Sequence, residues 1–173
     1  MTSEPTLAEL VIAASHSGLL IPESLPKLAT ELLEDGMDST SLRELAGLDL
    51  SPFDFRDALD LLDEAMVELA LPDQPADQRL TLAAALIAYQ CVAGTLRPRM
   101  VTKRFYSLAV TEDYPRDPPE IMEFFLLDDE WDSIPWKSDE MDERIKGRAV
   151  ALLHRLGIER WTPPQAILDG LLA

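Results

Sequence analysis

The sequence predicts an all-α fold, a single-domain bundle of about eight helices over residues 1–173 around a buried central helix, Leu80–Ala93. Three observations lead there. Helix-start residues precede apolar residues spaced three and four apart, and glycines follow them as stops. No segment sustains the alternation of β-branched and polar residues that a strand needs. From Leu80 to Ala93 only Thr81 and Gln90 are clearly polar, and a helix that is apolar all round must be covered all round. That run is also short of the roughly 20 apolar residues of a membrane span.

The elements follow in order. Thr6 and Glu9 have capping-box spacing, each side chain satisfying the other's free backbone N–H, and open a helix that Gly18 ends. Ser24 is placed to cap a second helix with Leu25, Leu28, Leu32 and Leu33 on one face and Gly36 after it. Ser41 and Glu44 suggest a second capping box for a short helix ended by Gly47. Ser51–Pro52 signals a longer helix to about Ala70, with Phe55, Leu59, Leu62, Met66 and Leu69 at helical period. Its polar positions are carboxylates: Asp54, Asp57, Asp60, Asp63, Glu64 and Glu68. They read as the wet side of an amphipathic helix. After the central run, Gly94 suits a C-cap and Pro98 a first turn. The next helix, Pro98–Val110, sets Met100, Val101, Phe105, Leu108 and Ala109 against Arg97, Arg99, Lys103 and Arg104. Asp117 with Pro118 opens EIMEFFLLDDEW, Ser138 opens a helix to about Leu156, and Thr162–Pro163 opens a final short one.

Apolar residues make up 47% of the chain, a globular composition. The net charge of −17 argues against nucleic acid and favours basic partners. The charge is uneven. Residues 1–80 hold 17 acidic and 4 basic residues, residues 81–116 hold 2 and 5, residues 117–136 hold 7 and none, and the remainder 6 and 6. The basic helix therefore lies between two acidic blocks and reads as an internal counter-charge. The N-terminal MTSEPTLAEL has no basic stretch before an apolar core, and a lone cysteine gives no disulfide framework. A cytoplasmic protein is the expectation.

Catalytic patterns are missing. His16 and His154 sit at helix ends, outside any two-histidine or Glu-x-x-His pattern, so no metal site is expected. Cys91, among alanines and valine, reads as an inert core thiol. A calcium loop begun at Asp128 would need glycine and glutamate where Ser133 and Asp139 stand. Phosphate-binding glycine loops and the nucleophile elbow have no match. The sequence predicts no enzyme and no cofactor. The strongest candidate surface is FFLLDDEWDSIPW, where Asp128, Asp129, Glu130, Trp131, Asp132 and Trp136 combine carboxylates with aromatics.

The segment ELLEDGMDSTSLRELAGLDLSPFDFRDALDLLDEAMVELAL, with AGTLRP and LDDEWD further on, resembles small acidic helical bacterial proteins, some of them similar to immunity proteins of toxin systems. The likeness spans the first two thirds of the chain and implies no catalytic residue. The expected function is therefore a non-catalytic interaction protein, with an inhibitor of the immunity type as one form, presenting an acidic and aromatic surface to a basic protein partner. The alternative is a helical DNA- or ligand-binding regulator using residues 98–110.

Overall fold

The computed structural model describes residues 4–48, 55–71, 74–116, 118–133, 138–158 and 161–171. These form nine α-helices and no strand: α1 (Leu7–His16), α2 (Leu25–Glu34), α3 (Thr40–Ala46), α4 (Phe55–Glu68), α5 (Ala76–Val92), α6 (Pro98–Thr111), α7 (Pro119–Ser133), α8 (Ser138–Arg155) and α9 (Gln165–Gly170). One 3-10 turn, Pro22–Ser24, precedes α2. None of these helices is long and apolar enough to cross a membrane. The predicted starts at Ser51 and Asp117 lie outside the described residues.

Local chemistry sets most of the ends. The Thr6–Glu9 box forms in both directions: Thr6 N–H donates to Glu9 Oε2 at 2.8 Å, and Glu9 N–H donates to Thr6 Oγ1 at 3.3 Å. Two predicted caps are corrected. Ser39, not Ser41, caps α3, accepting from Leu42 N–H at 3.2 Å. Ser41 lies inside the helix, and its N–H and hydroxyl donate to the Glu68 carboxylate at 3.0 and 2.9 Å. Ser24 makes no side-chain cap; its hydroxyl donates to the Ile21 carbonyl at 2.6 Å. The final helix starts at Gln165, beyond Thr162–Pro163, because Pro164 takes the extended N-cap position.

The C-terminus of α5 shows why glycine recurs at stops. Gly94 takes φ +74, so that its N–H bonds to the Cys91 carbonyl and the Thr95 N–H reaches back to Gln90. These bonds satisfy carbonyls of the last turn that have no partner further along the helix, and the Gln90 carbonyl also accepts from Leu96 N–H at 3.1 Å. Helix α4 ends with the same pair of bonds, Ala70 to Val67 and Leu71 to Met66, but with alanine in the left-handed position at φ +47. That costs roughly 1–2 kcal/mol relative to ordinary backbone.

The helices group into two compact units. The N-terminal unit comprises residues 5–75 and 163–172. Within it α3 packs on α2 and α4, and α9 returns to α1 and α2. Ile21 N–H donates to the Gly170 carbonyl at 2.8 Å, and Leu20 and Leu171 form an isolated antiparallel bridge. Leu10, Leu25, Leu28, Leu42, Leu45 and Leu62 are among its fully buried side chains.

The middle unit comprises residues 1–4, 76–162 and 173. Its α5 is the predicted buried helix. Ala83 to Ala88, six consecutive residues and so every direction around the axis, are at most 1% exposed. Within the unit α5 packs on α6 and α8, and the alanines bring these neighbours close. Helices α6 and α7 are an antiparallel pair joined by stacking. Phe105 lies on Phe124 with centroids 4.1 Å apart, and Tyr106 on Phe125 at 5.0 Å. Such pairs contribute about 0.5–1.5 kcal/mol beyond burial. Met100, expected on the apolar side of α6, is 39% exposed. The buried stripe is narrower: Val101, Phe105, Leu108 and Ala109, with Thr102 beside them.

Candidate functional site

The predicted acidic–aromatic segment falls mainly on α7. Asp128, expected as a surface carboxylate, is 3% exposed. It faces α6 and accepts from Arg99 Nη1 at 2.6 Å, Thr102 Oγ1 at 2.8 Å and Lys103 Nζ at 3.1 Å. Thr102, itself 0% exposed, also lies 3.4 Å from Arg99 Nη1, so its hydroxyl accepts from the guanidinium and donates to the carboxylate. A buried carboxylate is tolerated only when paired and hydrogen-bonded, and here three donors meet it. Asp132, one turn on, takes the other guanidinium nitrogen of Arg99 and lies 3.7 Å from Lys103 Nζ. The Arg99 guanidinium sits 5.5 Å over the half-buried Trp131 ring, a cation–π contact. Trp136 lies outside the described residues.

Glu130 faces α8 instead and is bound by both terminal nitrogens of Arg144, at 2.6 and 3.0 Å. The same helix pair carries Glu123–Arg148 at 3.0 Å and Glu120–Arg155. The Arg144 and Arg148 pairs are solvent-exposed and worth about 0–1 kcal/mol each, whereas Glu120 is largely covered. Asp129 is exposed, with no ion pair or side-chain hydrogen bond among the described residues. The structure thus brings Asp128, Asp129, Glu130, Trp131 and Asp132 onto one helix but turns them in three directions: inward to α6, across to α8, and out to solvent. The basic residues Arg99 and Lys103 are the counter-charge that the order of charge blocks suggested. The arginines of α8 are further partners that the charge blocks did not single out. Their spacing of four and seven residues would have found them.

Cys91, 3% exposed, is a core thiol. Burial pushes its pKa up to about 11, so it stays protonated and a poor nucleophile at neutral pH.

The distribution of charge differs sharply between the units. The N-terminal unit carries 16 acidic and 3 basic residues, a formal −13; the middle unit carries 16 and 12, a formal −4. In the N-terminal unit Lys27 is taken by Asp169 and Arg43 by Asp38. Along α4, Asp57, Asp60 and Asp63 are exposed, with no hydrogen bond or ion pair among the described residues. This helix read in the sequence as an ordinary wet face. No protein-family model matches the chain, and no curated protein or solved structure matches it either.

Proposed function

We propose that this chain is a non-catalytic interaction protein whose N-terminal unit receives a basic protein partner. The observation that supports the reading is the contrast in pairing. The carboxylates of α7 are largely occupied by arginines and lysine within the chain, whereas Asp57, Asp60 and Asp63, on a unit of net charge −13, have no partner among the described residues. Charge left unpaired raises the encounter rate with an oppositely charged partner. An inhibitor of the immunity type, covering a basic toxin, is one form such a protein takes. The surface favoured for the partner has therefore moved from Asp128–Trp136 to α4. Arg99 and Lys103 support no DNA-reading role for α6, because Asp128 and Asp132 occupy them.

The test is affinity capture from the source cells with three forms of the protein. The wild type is expected to retain a basic protein. The triple substitution Asp57→Asn, Asp60→Asn, Asp63→Asn is expected to lose it, and removal of the same number of charges at Glu123, Asp129 and Glu130 is expected to keep it. Equal loss in both variants, or no basic protein recovered by the wild type, would overturn the reading.

A further inference from the structure

Beside the free carboxylates of α4 the N-terminal unit has an open cleft of about 360 Å³, within the usual size of a binding pocket. Ile12 and His16 of α1 line one side, and Asp63, Met66 and Val67 of α4 the other. The left-handed turn at Ala70 folds Leu71 back over the end of α4 to complete the wall. Val67 is 80% exposed, a large apolar side chain that the fold leaves uncovered. Asp60 and Asp63 precede it by seven and four residues, so all three share one face of the helix. The floor has slack. A second cavity of about 10 Å³, room for a single water, lies behind Ile12, Met66 and Leu71 and borders Leu32, Leu42 and Leu62. Ile12, Met66 and Leu71 line both spaces, and among them the unbranched thioether of Met66 readily changes rotamer to fit what arrives.

We propose that this cleft docks a basic amphipathic segment of the partner, seating one of its apolar side chains against Ile12, Met66, Val67 and Leu71 while a lysine or arginine beside that side chain pairs with Asp63. The proposal rests on the reading of the N-terminal unit as the basic-partner surface and names where and how that partner enters. Charge complementarity selects the occupant. A neutral apolar ligand would cover Asp63 and leave a carboxylate desolvated without a partner. A second copy of this chain would bring another unit of net charge −13 against the first. A segment that alternates apolar and cationic residues meets both halves of the cleft.

The experiment uses the full chain with methyl-labelled isoleucine, leucine, valine and methionine, followed by NMR. The probe is a leucine–lysine peptide of about 14 residues, long enough for about four helical turns, with leucines at helical spacing. The same peptide with glutamate for lysine is the comparison. The lysine peptide is expected to shift the methyl signals of Ile12, Met66, Val67 and Leu71. Asp63→Asn is expected to weaken it several-fold. Val67→Glu is expected to weaken it about tenfold, the loss of roughly one buried valine contact, although it adds a negative charge. Both substitutions are at exposed positions, and an unchanged urea midpoint confirms that the variants are folded. If the lysine peptide binds with strong salt dependence but the cleft methyls stay still, or Val67→Glu strengthens binding, the cleft proposal is overturned and the basic-partner reading stands. If neither peptide binds at low salt, or the glutamate peptide binds as well, both are overturned.

Discussion

Asp128 on α7 and Asp63 on α4 begin from the same local chemistry, a carboxylate on an amphipathic helix, and end in opposite states. Asp128 is sunk between helices and held by Arg99, Thr102 and Lys103. Asp63 stands in solvent at the rim of an apolar cleft, without a hydrogen bond or ion pair among the described residues. The difference comes from the neighbouring helix. α7 packs against α6, whose Arg99 and Lys103 point at it, and against α8, which offers Arg144, Arg148 and Arg155. α4 packs against α3 and α2, where Arg43 and Lys27 already answer Asp38 and Asp169. The density of acidic residues along a helix therefore does not report whether they are available to a partner. That depends on what faces them.

The contrast can be broken most sharply at Arg99. Arg99→Ala leaves Asp128 buried with Lys103 and Thr102 only. The expected loss is about 2–3 kcal/mol, below the roughly 3–5 kcal/mol for fully orphaning a buried charge because Lys103 remains. A lowered urea midpoint at unchanged m-value checks it. Ala70→Gly is expected to act in the other direction. It relieves the left-handed alanine and should raise stability by about 0.5–1 kcal/mol, partly offset by the freedom glycine adds to the unfolded chain. The urea midpoint reads this too, and a fall would show that Ala70 is not strained.

Asp60→Asn with Asp63→Asn should change stability by less than about 0.5 kcal/mol, or raise it slightly, since no pairing is lost and repulsion is eased. The wild type should be stabilised by added salt more than this variant, because screening relieves the repulsion the variant has already lost. Comparing the two melting temperatures at low and high salt decides it. The smallest effect concerns Glu68, whose carboxyl lies below its usual range, chiefly because the Ser41 backbone N–H and then the Ser41 hydroxyl bond the charged form. A lowered folded pKa gives stability that is present above the unfolded value of about 4.3. It fades as pH falls through the lower folded value. Glu68→Gln should therefore make the decline in stability below about pH 4.5 shallower. An unchanged acid-unfolding profile would count against it.

The all-α class, the Thr6–Glu9 box and the predicted buried run, which holds from Leu80 to Cys91 but not at the exposed Val92 and Ala93, were legible because they depend on residues within a few positions of one another. Helical period, capping and glycine stops are short-range physics. The serines show the limit. Ser39 and Ser41 are equally good caps by type, but Ser39 holds the extended N-cap position, while Ser41, inside the helix, bonds Glu68, 27 residues beyond it. The surface followed the same pattern. Charge order along the chain pointed correctly to Arg99 and Lys103 as counter-charges, because α6 and α7 are adjacent helices joined by a short turn. It did not separate the buried, paired Asp128 from the exposed Asp129, because burial of Asp128 depends on Thr102 and on the packing of α7 against α6.

By itself, then, the sequence determined where helices run, which one is apolar throughout, and how acidic the chain is. The tertiary structure alone decided which carboxylates are spent and which are free. It also decided that Ile12, Met66, Val67 and Leu71, far apart along the chain, line one cleft. The physical reason is range. A helix is made by bonds to residues four positions away, whereas a carboxylate's partner and a cleft's opposite wall come from elements that only packing brings together.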